Sequence, residues 1–183
     1  MTYFYKCIEK NVDEYEYLYN FGKNYINDTD NYLSKNYNIE TIGEHITKLE
    51  DPIFGPLIQK TINDTEELLK EHGINNSINT HGFVEYHRYL NGRNMPLGIH
   101  CDDFGGVNYT VNTVIFYLNK SVEGGDLEIY DRDEKSVIDT IYVKPSENKI
   151  KIVIMEGNVC HFINKITTDG IRECIVVQLK CFR

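Results

Sequence analysis

The feature that most constrains this chain is a change in hydrophobic period near residue 80. Before it, apolar residues recur at helical spacing; after it, they alternate or gather in short runs at 83–90, 111–118, 127–130, 137–143, 150–155, 159–163 and 175–179. Alternation sends successive side chains to opposite faces, so each such segment can bury one face of a sheet. The gaps hold Asn91-Gly92, Gly105-Gly106, Gly124-Gly125, Pro145, Gly157 and Asp169-Gly170. Those residue types supply the backbone conformations of tight strand connections. Seven or more short strands joined this way predict a β-sandwich or barrel.

Upstream, the pattern predicts helices. Asn11 is a candidate N-cap with Glu14 in the capping-box position, followed by a stripe of Tyr15, Leu18, Tyr19, Gly22, Tyr25 and Ile26. An Asn-rich stretch covers 27–38, and Gly55-Pro56 then opens a second helix in which Leu57, Ile58, Ile62, Leu68 and Leu69 share a face until Gly73. The expectation is an α+β fold in a single domain over 1–183, with a helical part at about 1–79 packed on one sheet of a β core at about 80–183.

A formal net charge of -9 and a pI near 5.1 disfavour a nucleic-acid partner, because phosphate-tracking surfaces need Lys and Arg. The first twenty residues lack a signal-peptide pattern and no run is long enough to span a bilayer, so the expectation is a soluble, cytoplasmic protein without a membrane partner. Cys7, Cys101, Cys160, Cys174 and Cys181 are odd in number and form no CxxC pair, which predicts reduced, buried thiols. Oligomeric state has no signature here.

His100 and Asp102 stand two apart after Leu97-Gly98-Ile99, so on extended backbone both point to one side. That pair alone is a weak pattern, and a histidine in a strand is more often structural. His161, in the strand-like run 159–163, can be brought opposite the pair by a barrel. Two imidazoles and one carboxylate on one face of an octahedral ion suit non-haem Fe(II) oxygenases. Arg172 opens the last strand and is always charged: it needs either an anionic ligand or a salt bridge to a nearby Asp or Glu. Tyr117 is equally compatible with ordinary core packing. Gly124-Gly125 reads as a structural turn, Asp103 points away from Asp102, and His45, His72, His81 and His87 lack partners at metal-ligand spacing.

Taken in order, Tyr89-Leu90-Asn91-Gly92, His100-Cys101-Asp102, Thr113-Val114-Ile115-Phe116-Tyr117-Leu118-Asn119, Gly124-Gly125-Asp126-Leu127, His161 and Gly170-Ile171-Arg172 form a longer pattern. It resembles the double-stranded β-helix core of prolyl-hydroxylase-like 2-oxoglutarate/Fe(II) dioxygenases, over residues 83–182. The resemblance implies a jelly-roll, cupin-like barrel with His100, Asp102 and His161 as the catalytic iron ligands. It further implies Arg172 as ion-pair partner of the distal 2-oxoglutarate carboxylate, Tyr117 as hydrogen-bond donor to the same group and Tyr89 near its metal-chelating end. The implied reaction hydroxylates a C–H bond with O2, releasing succinate and CO2, with ascorbate a candidate reductant.

Two departures bear on substrate. Leu97 stands where many prolyl hydroxylases have a second tyrosine, and Gln178 where they commonly have a tryptophan; the chain contains no Trp. A protein or peptide side chain, proline foremost, is the first expected substrate. A small-molecule hydroxylase with the same site is the alternative, and a non-catalytic cupin-like metal-binding module is a different class.

Overall fold

The computed structural model describes residues 4–20, 39–45, 52, 54–74, 79–90, 98–102, 109–120, 123–131, 133 and 135–182. The described elements are β1 (Tyr5–Asn11), a 3-10 turn (Val12–Tyr15) running into helical residues 16–20, β2 (Ile39–His45), α1 (Phe54–Glu71), β3 (Asn79–Leu90), β4 (Tyr109–Lys120), β5 (Leu127–Tyr130), β6 (Val137–Ile141), β7 (Lys149–Glu156), β8 (His161–Ile163) and β9 (Ile171–Phe182).

The strands form a six-stranded sheet of order β1-β7-β4-β9-β3-β2 and a three-stranded sheet of order β6-β5-β8. Every pairing is antiparallel. An isolated bridge between His100 and His161 adds the 98–102 segment alongside β8. The seven strand segments expected downstream of residue 80 are all present, four of them longer than the apolar pattern alone suggested: β3, β4 and β9 each run for twelve residues and β7 for eight.

The large sheet sorts its side chains by the two-residue period. On one face Val84, Tyr86, Val114, Phe116, Leu118, Ile150, Ile152, Ile154, Ile175, Val177 and Leu179 pack with Tyr15, Leu18 and the α1 residues Ile58, Ile62, Leu68 and Leu69. On the other face Ile115, Tyr117, Val153, Met155 and Cys174 pack against Leu127, Ile129, Ile141, Val143, Val159 and Ile166 on the side of the small sheet. Two cores therefore share one central sheet. At about 25 cal/mol per Å2 of apolar area buried, both are major contributors to stability.

Helix α1 has the expected apolar face, and its buried Thr61 and Thr65 return their hydroxyls to the carbonyls of Leu57 and Thr61, each at 2.7 Å. It ends at Gly73, whose φ of +80° is open to glycine without strain. The bonds Gly73 N–H to Lys70 O at 3.0 Å and Ile74 N–H to Leu69 O at 2.9 Å close the last turn. No described helix is long and apolar enough to cross a membrane.

The first half of the chain is less helical than expected. Residues 5–11 and 39–45 are strands at the two edges of the large sheet, β1 on β7 and β2 on β3. The ladder from Tyr5↔Met155 to Asn11↔Lys149 pairs the inward-facing backbone groups of β1 with β7, so tertiary pairing decides where local pattern was silent. Asn11 makes no side-chain cap to the turn that follows. Tyr15 and Leu18 are buried as the stripe requires, whereas Gly22, Tyr25, Ile26 and the 27–38 stretch lie outside the described residues.

Candidate metal centre

His161 opens β8, and His100 is joined to it by a reciprocal backbone pair: His100 N–H to His161 O at 3.1 Å and His161 N–H to His100 O at 2.9 Å. The bridge brings two distant histidines together with ring centroids 4.4 Å apart. Asp102, two residues past His100, turns its Oδ1 to 3.6 Å from His100 Nε2. One ligand atom from each of His100, Asp102 and His161 can be chosen so that all lie within 4.8 Å of one another, close enough to share an ion.

Both imidazoles are held in the tautomer a metal requires. Nδ1 of His100 bonds the Gly98 carbonyl at 2.9 Å, and Nδ1 of His161 bonds the Val159 carbonyl at 3.0 Å. A carbonyl only accepts, so each Nδ1 carries a proton, and in the neutral ring this leaves the Nε2 lone pair for a metal. Asp102 and His161 are buried. Burial is the main cause of a His161 pKa below the ordinary histidine value; nearby His100 lowers it further, while Asp102 and the Val159 carbonyl oppose the shift. The neutral ring so favoured is the ligand form.

Arg172 is fully buried at the start of β9. Its Nη1–H points to Cys174 Sγ at 3.7 Å, and its Cζ lies 4.8 Å from the centre of the Tyr117 ring. Both of these contacts are to uncharged groups. Burial, opposed by Arg172, raises the Tyr117 pKa well above the usual phenol range, so the hydroxyl stays protonated. That hydroxyl donates to no acceptor among the described residues. The Tyr117 hydroxyl and the Arg172 guanidinium thus lie side by side, both buried, on the face of the large sheet toward the small one.

The Gly124-Gly125 turn has a further use beyond the structural one. A Cβ on Gly125 would fall 2.9 Å from Arg172 Cδ, and the backbone there has φ of +71°. The missing side chain makes room for the arginine to reach the space between the sheets. Asp126 anchors the same turn through the Val143 N–H at 3.0 Å, and its own N–H bonds Asn164 Oδ1 at 3.0 Å.

Of the six residues singled out in the sequence, His100, Asp102 and His161 come together, and Arg172 and Tyr117 meet across adjacent strands. Tyr89 is the backbone partner of Arg172 on β3, and its side chain lies outside the described part of the structure. Sequence reasoning passed over Thr113, whose Oγ1 donates to Asp102 Oδ2 at 2.5 Å. The available signal was its place on β4, four residues from Tyr117 and therefore on the same face.

The cysteine expectation needs correction. Cys101 and Cys160 form a disulfide, Cys7 is an exposed free thiol and Cys174 a buried one; the side chain of Cys181 is outside the described part. The cause is register. Because 100 and 161 exchange both backbone bonds, 101 and 160 are the next, non-hydrogen-bonded pair, where Cα atoms approach most closely; here they are 4.4 Å apart.

An antiparallel double-sheet fold with two imidazoles and a carboxylate gathered between its sheets defines the class of non-haem metal oxygenases. The sequence profile of the 2OG-Fe(II) oxygenase superfamily matches residues 84–177, just over half of the chain, and the chain belongs to that superfamily. It is a 2-oxoglutarate-dependent dioxygenase by membership, which also favours an enzyme over a non-catalytic module.

Among solved structures, a prolyl-4-hydroxylase from Pseudomonas putida has a TM-score of 0.63 at 11% identity, covering 100% of this chain and 94% of that one. A viral collagen prolyl hydroxylase from Paramecium Bursaria Chlorella virus-1, in complex with 2OG, gives 0.58 at 18% identity, covering 98% and 96%. A Trichoplax adhaerens prolyl hydroxylase in complex with a hypoxia inducible factor peptide fragment gives 0.55 at 16% identity, covering 94% and 82%. These likenesses show the fold, and they carry the double-stranded β-helix architecture to this chain. No curated protein matches the sequence.

Proposed function

We propose that the chain is one catalytic domain that hydroxylates a protein or peptide side chain, using Fe(II) held by His100, Asp102 and His161. The observation that carries this reading is the clustering of those three donors, with both imidazole tautomers set, in the inter-sheet space that Arg172 also enters. Bound there, iron with 2-oxoglutarate supplies the oxidising chemistry that turns O2 and the cosubstrate into a hydroxylated product, succinate and CO2.

The protein's own part is binding and orientation. Arg172 receives the distal carboxylate of 2-oxoglutarate, Tyr117 donates its hydroxyl to the same group, and Tyr89 stands near the chelating end. The guanidinium and the phenol are both buried, so the pairing is strengthened by the exclusion of water. Ascorbate would serve as reductant, returning iron oxidised to Fe(III) to the ferrous state.

The peptide-bound Trichoplax relative supports a protein or peptide substrate, with proline first. Gln178 favours a second reading, a small-molecule hydroxylase: it stands half-buried on β9 where a prolyl hydroxylase commonly offers tryptophan. Anaerobic titration with Fe(II) and then 2-oxoglutarate, read as a charge-transfer absorption band, tests the centre. Succinate release with peptide and metabolite panels, and mass spectrometry for one added oxygen atom, separates the substrates. Failure to bind Fe(II) at one equivalent would refute the proposal.

A further inference from the structure

We propose that Thr113 is a positioning residue for the metal centre, holding the outer oxygen of Asp102 so that the carboxylate offers one oxygen to the ion and not two. This rests on the assignment of His100, Asp102 and His161 as metal ligands.

The two oxygens of Asp102 have different surroundings. Oδ1 lies 3.6 Å from His100 Nε2, within the cluster of donor atoms that can share an ion. Oδ2 accepts the Thr113 hydroxyl at 2.5 Å, in a bond that is fully buried. A hydrogen bond to an ionised carboxylate is among the stronger ones, and burial strengthens it further.

The two partners also differ in how firmly they are held. Asp102 follows a single isolated bridge, at the margin of the small sheet. Thr113 lies in β4, paired to Met155 of β7 on one side and to Gln178 of β9 on the other. Its β-branched side chain has few rotamers, so the hydroxyl is a fixed point on the large sheet that reaches across to the ligand. Valine would fill the same space and suit the strand equally well, so packing alone does not call for the hydroxyl.

The chemical consequence concerns coordination number. Three protein donors would leave an octahedral ion with three positions open to exogenous ligands. An aspartate free to rotate onto the ion with both oxygens would take one of those positions. With Oδ2 engaged by Thr113, that rotation costs a buried hydrogen bond.

The test uses the full chain, freed of metal, titrated with Co(II) and followed by visible absorption, which reports coordination number as well as affinity. Thr113→Val is expected to bind Co(II) about 10- to 100-fold more weakly and with an altered d–d spectrum, while Thr113→Ser stays within about threefold of wild type. Succinate formation should fall in the valine variant and return in the serine variant. Should valine fail to fold by circular dichroism, Thr113→Ala against Thr113→Ser makes the same comparison. Wild-type Co(II) affinity and spectrum without the hydroxyl would overturn the proposal, as would a serine variant no better than valine. His161→Ala separates the two levels: if it retains wild-type Co(II) binding the metal centre itself is wrong, and if it loses binding while Thr113→Val is normal, only the role of Thr113 falls.

Discussion

The two faces of the large sheet do different work with the same strands. The face against α1 is almost wholly aliphatic and aromatic, and its buried threonines, on the helix, are satisfied within the helix. The face toward the small sheet carries Thr113, Tyr117, Arg172 and Cys174, and across from it lie Asp102 and His161. The sheets differ in the same sense. Strands of seven to twelve residues build the large one, while the small one has strands of three to five residues, locked by Asp126 and by the Cys101–Cys160 bridge. Burial of apolar area holds both cores, and the second adds directed polar and covalent links. A sheet that is anchored on one side can tolerate costly polar groups on the other.

Substitutions can break this contrast, and the largest effect is expected at His161. His161→Ala should reduce substrate-dependent succinate formation to background while circular dichroism and melting stay close to wild type. Unfolding with metal binding intact would instead make His161 a packing residue. Next comes Arg172→Ala, which should leave metal binding nearly unchanged and weaken 2-oxoglutarate by about 2–5 kcal/mol, the cost of removing one partner from a desolvated ion pair. Calorimetric titration with the cosubstrate checks it, and unchanged affinity would take Arg172 out of the site.

On the opposite face, Leu69→Ala should cost about 2–5 kcal/mol of folding stability in urea while sparing metal affinity. A large loss of metal affinity there would mean the two cores are coupled. Replacing both Cys101 and Cys160 with serine should cost about 2–4 kcal/mol, because the bridge closes a long loop. The wild type should show a similar loss under reducing conditions; equal stability with and without reductant would show that the small sheet does not depend on the bridge. The smallest effect belongs to the surface: Lys60→Ala removes an exposed i,i+4 pair with Asp64 and should change stability by no more than about 0.5 kcal/mol.

Much of this contrast was legible before folding. The change of period at residue 80 marks the strands, and alternation within 113–117 puts Thr113, Ile115 and Tyr117 on one face whatever the rest of the chain does. The His-x-Asp spacing aligns two donors locally. The edge strands β1 and β2 were not legible, since an edge strand is specified largely by the partner it pairs with. The disulfide was hidden for a related reason: two cysteines 59 residues apart become opposite neighbours only through the His100↔His161 register.

By itself, then, the order of residues determined which segments are strands, which side chains share a face and which donors a metal could use, because these follow from covalent geometry and a two-residue repeat. Tertiary structure alone decided that His161 meets His100, that Thr113 reaches Asp102 from the opposite sheet and that Gly125 clears the path of Arg172. Those contacts join residues far apart in the chain, and their distances depend on how two sheets pack, which no local pattern encodes.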